Sequence, residues 1–263
     1  MYAFTLDKPT SLADASKAAA GGAKPLAGGQ TLLASMKLRL SEPGSLVDLG
    51  GIKELTGIKR EGNALVIGAM TRHIDVANSA EVKATIPGLA DLAAHIGDKQ
   101  VRAMGTMGGS VANNDPSACY PSAVLGLGAT VHTTQRQIAA DDFFQGMFTT
   151  ALNEGELITA ISFPIPKKSV YMKFNQPASR FAMTGVYLAV TDGGVRVAVT
   201  GAGTGGVFRH TGLEDALNQN FTPQAAAAVK IDASDLNADL HASAAYRANL
   251  ISVLTQRAVA LLA

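Results

Sequence analysis

The sequence predicts an α+β protein in two units, a larger one over residues 1–167 and a smaller one over 168–263. A short strand, a glycine turn and a helix follow one another between Lys24 and Leu40. A proline cluster at Pro164 and Pro166 breaks the pattern, because proline resists both helix and central strand. Beyond it, a hairpin gives way to helical segments.

Ser11 can cap a helix with Leu12, Ala15, Ala18 and Ala19 on its apolar side, and Gly21-Gly22 is a permissive stop. Lys24 to Ala27 reads as a strand. Gly28-Gly29-Gln30-Thr31 follows, and Leu32, Leu33, Met36 and Leu40 then recur at helical spacing. Ser45 to Leu49 and Ala64 to Ala69 are strand candidates, the second apolar enough to be covered on both faces. Gly88 to Ile96 has Leu89, Leu92, Ala93 and Ile96 on one helical side. A glycine-rich loop runs from Gly105 to Pro116, an apolar stretch from Ala123 to Val131, and a strand from Ile158 to Phe163.

In the second unit, Gly185 to Thr191 and Val195 to Thr200 flank Asp192-Gly193-Gly194, a hairpin turn that calls for positive φ. Thr222-Pro223 makes a cap and first turn. Ser243 can start a last helix with Tyr246, Leu250, Val253, Leu254 and Leu261 facing inward.

Apolar residues make up 47% of the 263, enough for substantial cores, yet no apolar run is long enough to cross a bilayer. Met1 to Lys8 lacks the pattern of a secretory signal, so a cytoplasmic location is expected. A net charge of +1 with scattered Lys and Arg argues against a nucleic-acid partner. The single cysteine, Cys119, excludes an internal disulfide and any cysteine-held cluster within this chain. His73, His95, His132, His210 and His241 are too dispersed for a metal site and read as surface or capping residues. No metal ligand and no catalytic residue is assigned.

Two segments share two adjacent glycines followed by a polar residue: Ala27-Gly28-Gly29-Gln30-Thr31 and Thr106-Met107-Gly108-Gly109-Ser110. Glycine lets backbone amides turn toward an anion with no Cβ in the way, and a following helix adds partial positive charge. A pyrophosphate suits such a site. Tight turns in a β-rich region are the other reading, and pattern alone leaves both open.

Ile96-Gly97-Asp98-Lys99-Gln100-Val101-Arg102, Gly105 to Ser110 and Asn113-Asn114-Asp115-Pro116 closely resemble the medium subunits of carbon monoxide dehydrogenases and related molybdenum hydroxylases. So do Ala27 to Leu40, Ala140 to Phe144 and Pro177 to Ala182, which extend the likeness over nearly the whole chain. The resemblance implies a two-lobed FAD-binding domain of the vanillyl-alcohol-oxidase (PCMH) type and a small C-terminal α+β domain. Noncovalent FAD would contact Ala27, Gly28, Gly29, Gln30, Thr31 and Leu32 on one side and Thr106, Met107, Gly108, Gly109 and Ser110 on the other. Asn113 belongs to the same motif. Asp115 would accept hydrogen bonds from FAD hydroxyls or else cap a turn. Ile96 would pack on the flavin or simply in the core; Lys173 would lie near the isoalloxazine or face solvent from a strand.

Many relatives carry an acidic residue where this chain has Cys119, which reads as a small buried apolar residue rather than a thioether attachment. The resemblance further implies an oxidoreductase complex. A large molybdenum-cofactor (molybdopterin) subunit and a small subunit with [2Fe-2S] clusters would be the partners, in an (αβγ)2 assembly that passes electrons to an external acceptor. An aldehyde is the first substrate expectation, with carbon monoxide and N-heterocycles open. A stand-alone flavin oxidase and a non-enzymatic nucleotide-binding scaffold are the rival classes. Gly201-Ala202-Gly203-Thr204-Gly205-Gly206 matches the dinucleotide fingerprint literally, but its strand belongs to a hairpin and no helix follows promptly. It reads as a loop.

Overall fold

The computed structural model describes residues 1–263 and holds three sheets and a separate two-stranded hairpin. The first sheet is parallel, with β3 (Ser45–Asp48) between β1 (Thr5–Asp7) and β2 (Lys24–Leu26). Helix α1 (Leu12–Ala20) joins β1 to β2. Its cap is the predicted one, since Ser11 accepts a hydrogen bond from the Asp14 amide at 3.1 Å. Helix α2 (Leu32–Lys37) stops short of the predicted Leu40. Arg39 takes φ +60° and turns the chain away, leaving Leu38 and Leu40 71% and 77% exposed. The helical apolar spacing therefore stops at Met36, which is buried.

The second sheet has the order β4-β5-β10-β6-β7 and is antiparallel throughout: β4 (Ile58–Glu61), β5 (Ala64–Gly68), β6 (Thr130–Thr133), β7 (Gln137–Ala139) and β10 (Ile158–Pro164). Pro164 falls on the last residue of the central strand, where a missing amide costs least. β5 was expected to be covered on both faces. Instead Leu65 and Ile67 are buried while Ala64, Val66 and Gly68 are only half-buried, because helices cover one face alone. The helices that follow β5 and β7 are α3 (His73–Asn78), α4 (Ala80–Thr85), α5 (Pro87–Ala94), α6 (Lys99–Met104), α7 (Met107–Asn113), α8 (Tyr120–Gly126) and α9 (Ala140–Phe143), and all but α6 send buried residues into the core beneath this sheet. The apolar stretch from Ala123 thus divides into the end of α8 and the start of β6. β8 (Phe144–Gly146) and β9 (Thr149–Thr150) form the separate hairpin.

The third sheet is antiparallel, in the order β11 (Lys168–Asn175), β12 (Ala182–Thr191), β13 (Gly194–Thr200) and β14 (Phe208–Arg209). The predicted hairpin forms, with Thr191 opposite Gly194, but positive φ sits at Gly194 (+113°), just past the two turn residues. Alternation along β12 sends Tyr187 and Ala189 into the core of the second sheet. Val186 and Leu188 enter another core with α10 (Thr211–Gln219), α11 (Pro223–Ala228) and α12 (Ala244–Leu262). Thr222 and Ser243 cap α11 and α12 as predicted.

The inward face of α12 differs from the expected one. Leu250 and Leu254 are buried, but Tyr246 and Leu261 are exposed and Val253 is half-buried. The helix is turned by Arg247, whose buried guanidinium donates to the carbonyls of Met183 and Gly201 and to Asp239 Oδ2 at 2.7 Å. The Gly201–Gly206 stretch links β13 to β14 as a loop with no helix, so the literal fingerprint is a decoy, as expected.

Candidate functional site

The first diglycine joins β2 to α2. Gly29 has φ +70°, and Gln30 Nε2 donates back to the Gly28 carbonyl at 3.0 Å, closing the turn on itself. Thr31 occupies the cap position of α2 without a side-chain cap bond. Pairing within the helix begins only at the Leu33 amide, which reaches Gly29 O at 3.1 Å. The amides of Ala27, Gly28, Gly29, Gln30, Thr31 and Leu32 have no partner in the chain. Consecutive unpaired amides around a tight turn form a concave donor set of the kind that binds anions.

The second diglycine is not a loop but the start of α7, capped by Thr106, whose Oγ1 accepts from the Gly109 amide at 3.2 Å. The Met107 and Gly108 amides are taken by Thr71 O (3.0 Å) and Ala69 O (2.8 Å), and the Ser110 amide by Thr106 O. Thr106 to Ser110 therefore does not offer a second row of free amides, contrary to the sequence-based picture. Its glycines serve close approach instead: a Cβ on Gly108 would lie 2.5 Å from that of Ala69. Met107 is wholly buried, while Ser110 and Asn113 are half-buried.

The fold nevertheless brings the two segments together. A Cβ on Gly28 would sit 2.2 Å from Met104 O and 2.7 Å from Gly105 Cα, and one on Gly109 would sit 3.1 Å from Ala27 Cβ. Only glycine permits this contact. Beneath it lies His73, which is buried rather than at the surface. Its ring is 5.2 Å from that of Tyr120, and Nδ1 has no hydrogen-bond partner. Burial, helped by nearby Arg102, lowers its pKa to about 4, so the imidazole is neutral. Sequence reasoning had only an isolated histidine to read there. His210 does fulfil a capping role, accepting from the Leu213 amide.

Ile96 lies just past α5 and is half-buried against the main core. The carbonyls around it are held by two cations. Lys173 Nζ on β11 donates to His95 O at 2.8 Å, and Arg102 Nη1 on α6 donates to Ile96 O at 2.9 Å and Gly97 O at 3.1 Å. Lys173 is thus tied to the residue before Ile96, and its ammonium is engaged with backbone. Arg102 was missed because nothing local marks a side chain that folds back on its own turn.

At the far end of α7, Asn114 adopts φ +42° and its Nδ2 donates to Gly146 O and Thr149 O, fixing the β8–β9 hairpin. Asp115 is half-buried, accepts from the Ser117 amide at 2.8 Å, and has no cationic partner. Burial pushes its carboxyl above the ordinary range, opposed by that amide. Cys119 is buried, as expected for an apolar role.

Residues 2–166 match the family described as FAD binding domain in molybdopterin dehydrogenase. The chain belongs to this family. Glyceraldehyde dehydrogenase medium chain of Sulfolobus acidocaldarius is 35% identical over 97% of this chain and 96% of its own length. Carbon monoxide dehydrogenase medium chain of Hydrogenophaga pseudoflava is 34% identical over 90% and 88%. Among solved structures, reconstituted CO dehydrogenase from Oligotropha carboxidovorans superposes with a TM-score of 0.91 at 32% identity, covering 99% of this chain and 98% of that one. Quinoline 2-oxidoreductase from Pseudomonas putida 86 gives 0.90 at 28%, covering 99% and 96%. Both agreements extend through the β11–α12 region, beyond the family match. For a molybdopterin-dehydrogenase FAD-binding chain, the donor set fits the cofactor. FAD carries diphosphate oxygens that accept hydrogen bonds, and the 27–32 turn holds a run of unpaired amide donors, seated on Met104 and Gly105 by the absence of a Cβ at Gly28.

Proposed function

We propose that this chain is the FAD-carrying, electron-transferring subunit of a heterotrimeric molybdenum hydroxylase. The observation that carries the reading is the run of unpaired amides from Ala27 to Leu32, held against Gly105 and Gly109. These amides would hold the diphosphate, with Thr31 and Ser110 hydroxyls free to add hydrogen bonds. Asp115 would accept from cofactor hydroxyls. Ile96 would border the flavin, on a turn fixed by Lys173 and Arg102. FAD, when bound, supplies a ring that exchanges electrons singly or in pairs, the conversion needed between one-electron clusters and a two-electron acceptor. The chain's own work is to bind it, orient it and exclude water.

Residues 1–167 are read as a two-lobed PCMH-type domain, with the cofactor where the first two sheets meet, and residues 168–263 as a second domain. Support comes from the end of the family match at 166 and the start of β11 at Lys168. The partners would be a large molybdenum-cofactor subunit and a small [2Fe-2S] subunit, in an (αβγ)2 assembly. No helix here is long and apolar enough to cross a membrane, and a cytoplasmic complex is proposed. The substrate would bind in the large subunit. Aldehyde oxidation is the working reading, supported by the glyceraldehyde dehydrogenase relative; relatives named for carbon monoxide and nicotine keep those chemistries as alternatives.

Native purification followed by flavin release tests this. One FAD per chain, co-purifying with two companion polypeptides that carry molybdenum and iron, is the expected result. A colourless preparation, or a single chain that oxidises a small alcohol unaided, would overturn it.

A further inference from the structure

The proposed diphosphate site is all amide and hydroxyl, with no cation assigned to offset a charge of about −2. The structure supplies one. Segment 69–73, between β5 and α3, runs antiparallel to segment 105–108. Gly108 N donates to Ala69 O (2.8 Å), Met107 N to Thr71 O (3.0 Å) and His73 N to Gly105 O (2.9 Å). This register places Arg72 directly opposite Thr106, as an isolated antiparallel bridge. In such a non-hydrogen-bonded pair, side chains share a face with Cβ atoms roughly 4.5–5.5 Å apart.

The identity of that face follows from burial. Ala69, Thr71 and His73 are buried, so the opposite face carries Arg72, which is exposed. Thr106 lies on the Arg72 face, yet is only 4% exposed. The 27–29 turn covers it, since Gly28 rests on Gly105 and Ala27 lies beside Gly109. Arg72, paired with Thr106, is therefore on the side of segment 69–73 where the 27–29 turn packs on Gly105 and Gly109. Its guanidinium makes no hydrogen bond or ion pair within the chain, whereas Arg102 donates through Nη1 to the carbonyls of Ile96 and Gly97.

We propose that Arg72 is a further cofactor-binding residue, its guanidinium pairing with a phosphate of the dinucleotide held by the Ala27–Leu32 amides. This rests on the FAD reading above and deepens it. A guanidinium suits the task because its planar fork meets phosphate oxygens with two parallel hydrogen bonds and never loses its charge.

The test uses the full chain, stripped of flavin and titrated with FAD by fluorescence quenching at several salt concentrations. Arg72→Gln is expected to weaken FAD binding about tenfold at low salt, the usual effect of losing one charged hydrogen-bond pair. It should also flatten the salt dependence, since screening then has one charge fewer to act on. Arg72→Lys should restore most of the affinity and the salt dependence together. Matching melting curves for the three proteins would show that folding is not the cause. If Arg72→Gln binds FAD with wild-type affinity and wild-type salt dependence, the assignment of Arg72 fails while the FAD reading stands. If the unsubstituted chain takes up no FAD, the reading itself fails and Arg72 falls with it.

Discussion

Lys173 Nζ donates to the carbonyl of His95 at 2.8 Å, joining the first strand of the C-terminal sheet to the end of α5. A cation at a helix C-terminus satisfies a carbonyl that the helix leaves unpaired and opposes the local negative potential. It does so one residue before Ile96, so the C-terminal sheet helps set the turn that the proposed flavin borders.

Replacing Lys173 with Met keeps much of the stem and removes the bond. A loss of about 1 kcal/mol is expected, with faster amide exchange confined to residues near 95–98. Unchanged exchange there would show that the bond does not order the turn.

Gly28 has no room for a methyl group, because the obstructing atoms are backbone atoms of Met104 and Gly105. Gly28→Ala should displace the turn, destabilise the chain by roughly 1–3 kcal/mol and lower bound flavin. Gly44 has nothing within 4 Å of a Cβ, so Gly44→Ala is the matched control and should keep full flavin content. The ratio of flavin to protein after gel filtration checks both.

His73 predicts a pH dependence of definite sign. Its pKa falls from 6.5 to about 4 on folding, so the unfolded chain binds the proton more readily. The stability contributed by a neutral His73 is present above pH 6.5 and drains away as pH falls toward 4, by on the order of 3 kcal/mol. Urea unfolding at pH 7 and pH 5 should show about 2 kcal/mol of this loss in the wild type and a smaller one in His73→Leu. Parallel pH profiles would exclude His73 as the source.

Asp115 has the opposite sign. Its carboxyl is raised by burial, so ionisation opposes folding once pH exceeds the ordinary carboxylate value. Asp115→Asn keeps an oxygen for the Ser117 amide, and should raise the Tm of the flavin-free chain at pH 7 while leaving it unchanged near pH 3. The same substitution should weaken FAD binding about tenfold if the carboxylate accepts from cofactor hydroxyls. A variant neutral in both respects would remove Asp115 from the site.

Much of this molecule was legible in the sequence because the deciding interactions are local. Ser11, Thr222 and Ser243 each cap a helix by bonding an amide three residues on, and the Asp192-Gly193 turn closes between immediate neighbours. Short-range bonds of this kind need no knowledge of the rest of the chain. The 27–31 turn and the family likeness were equally readable. Where the periodicity misled, a tertiary contact had overruled it: α12 is turned by buried Arg247, and the outer face of β5 lacks its expected cover.

The sequence alone determined several of the elements, the caps at Ser11, Thr222 and Ser243, and the two diglycines. Only the tertiary structure decided what each diglycine does. Gly28 and Gly108 follow the same pattern, yet the amide of Gly108 is spent on Ala69 while that of Gly28 has no partner. The burial of His73 and the position of Arg72 opposite Thr106 were decided in the same way. A backbone amide or side chain takes its partner from whatever the folded chain brings alongside, and those partners are remote in sequence.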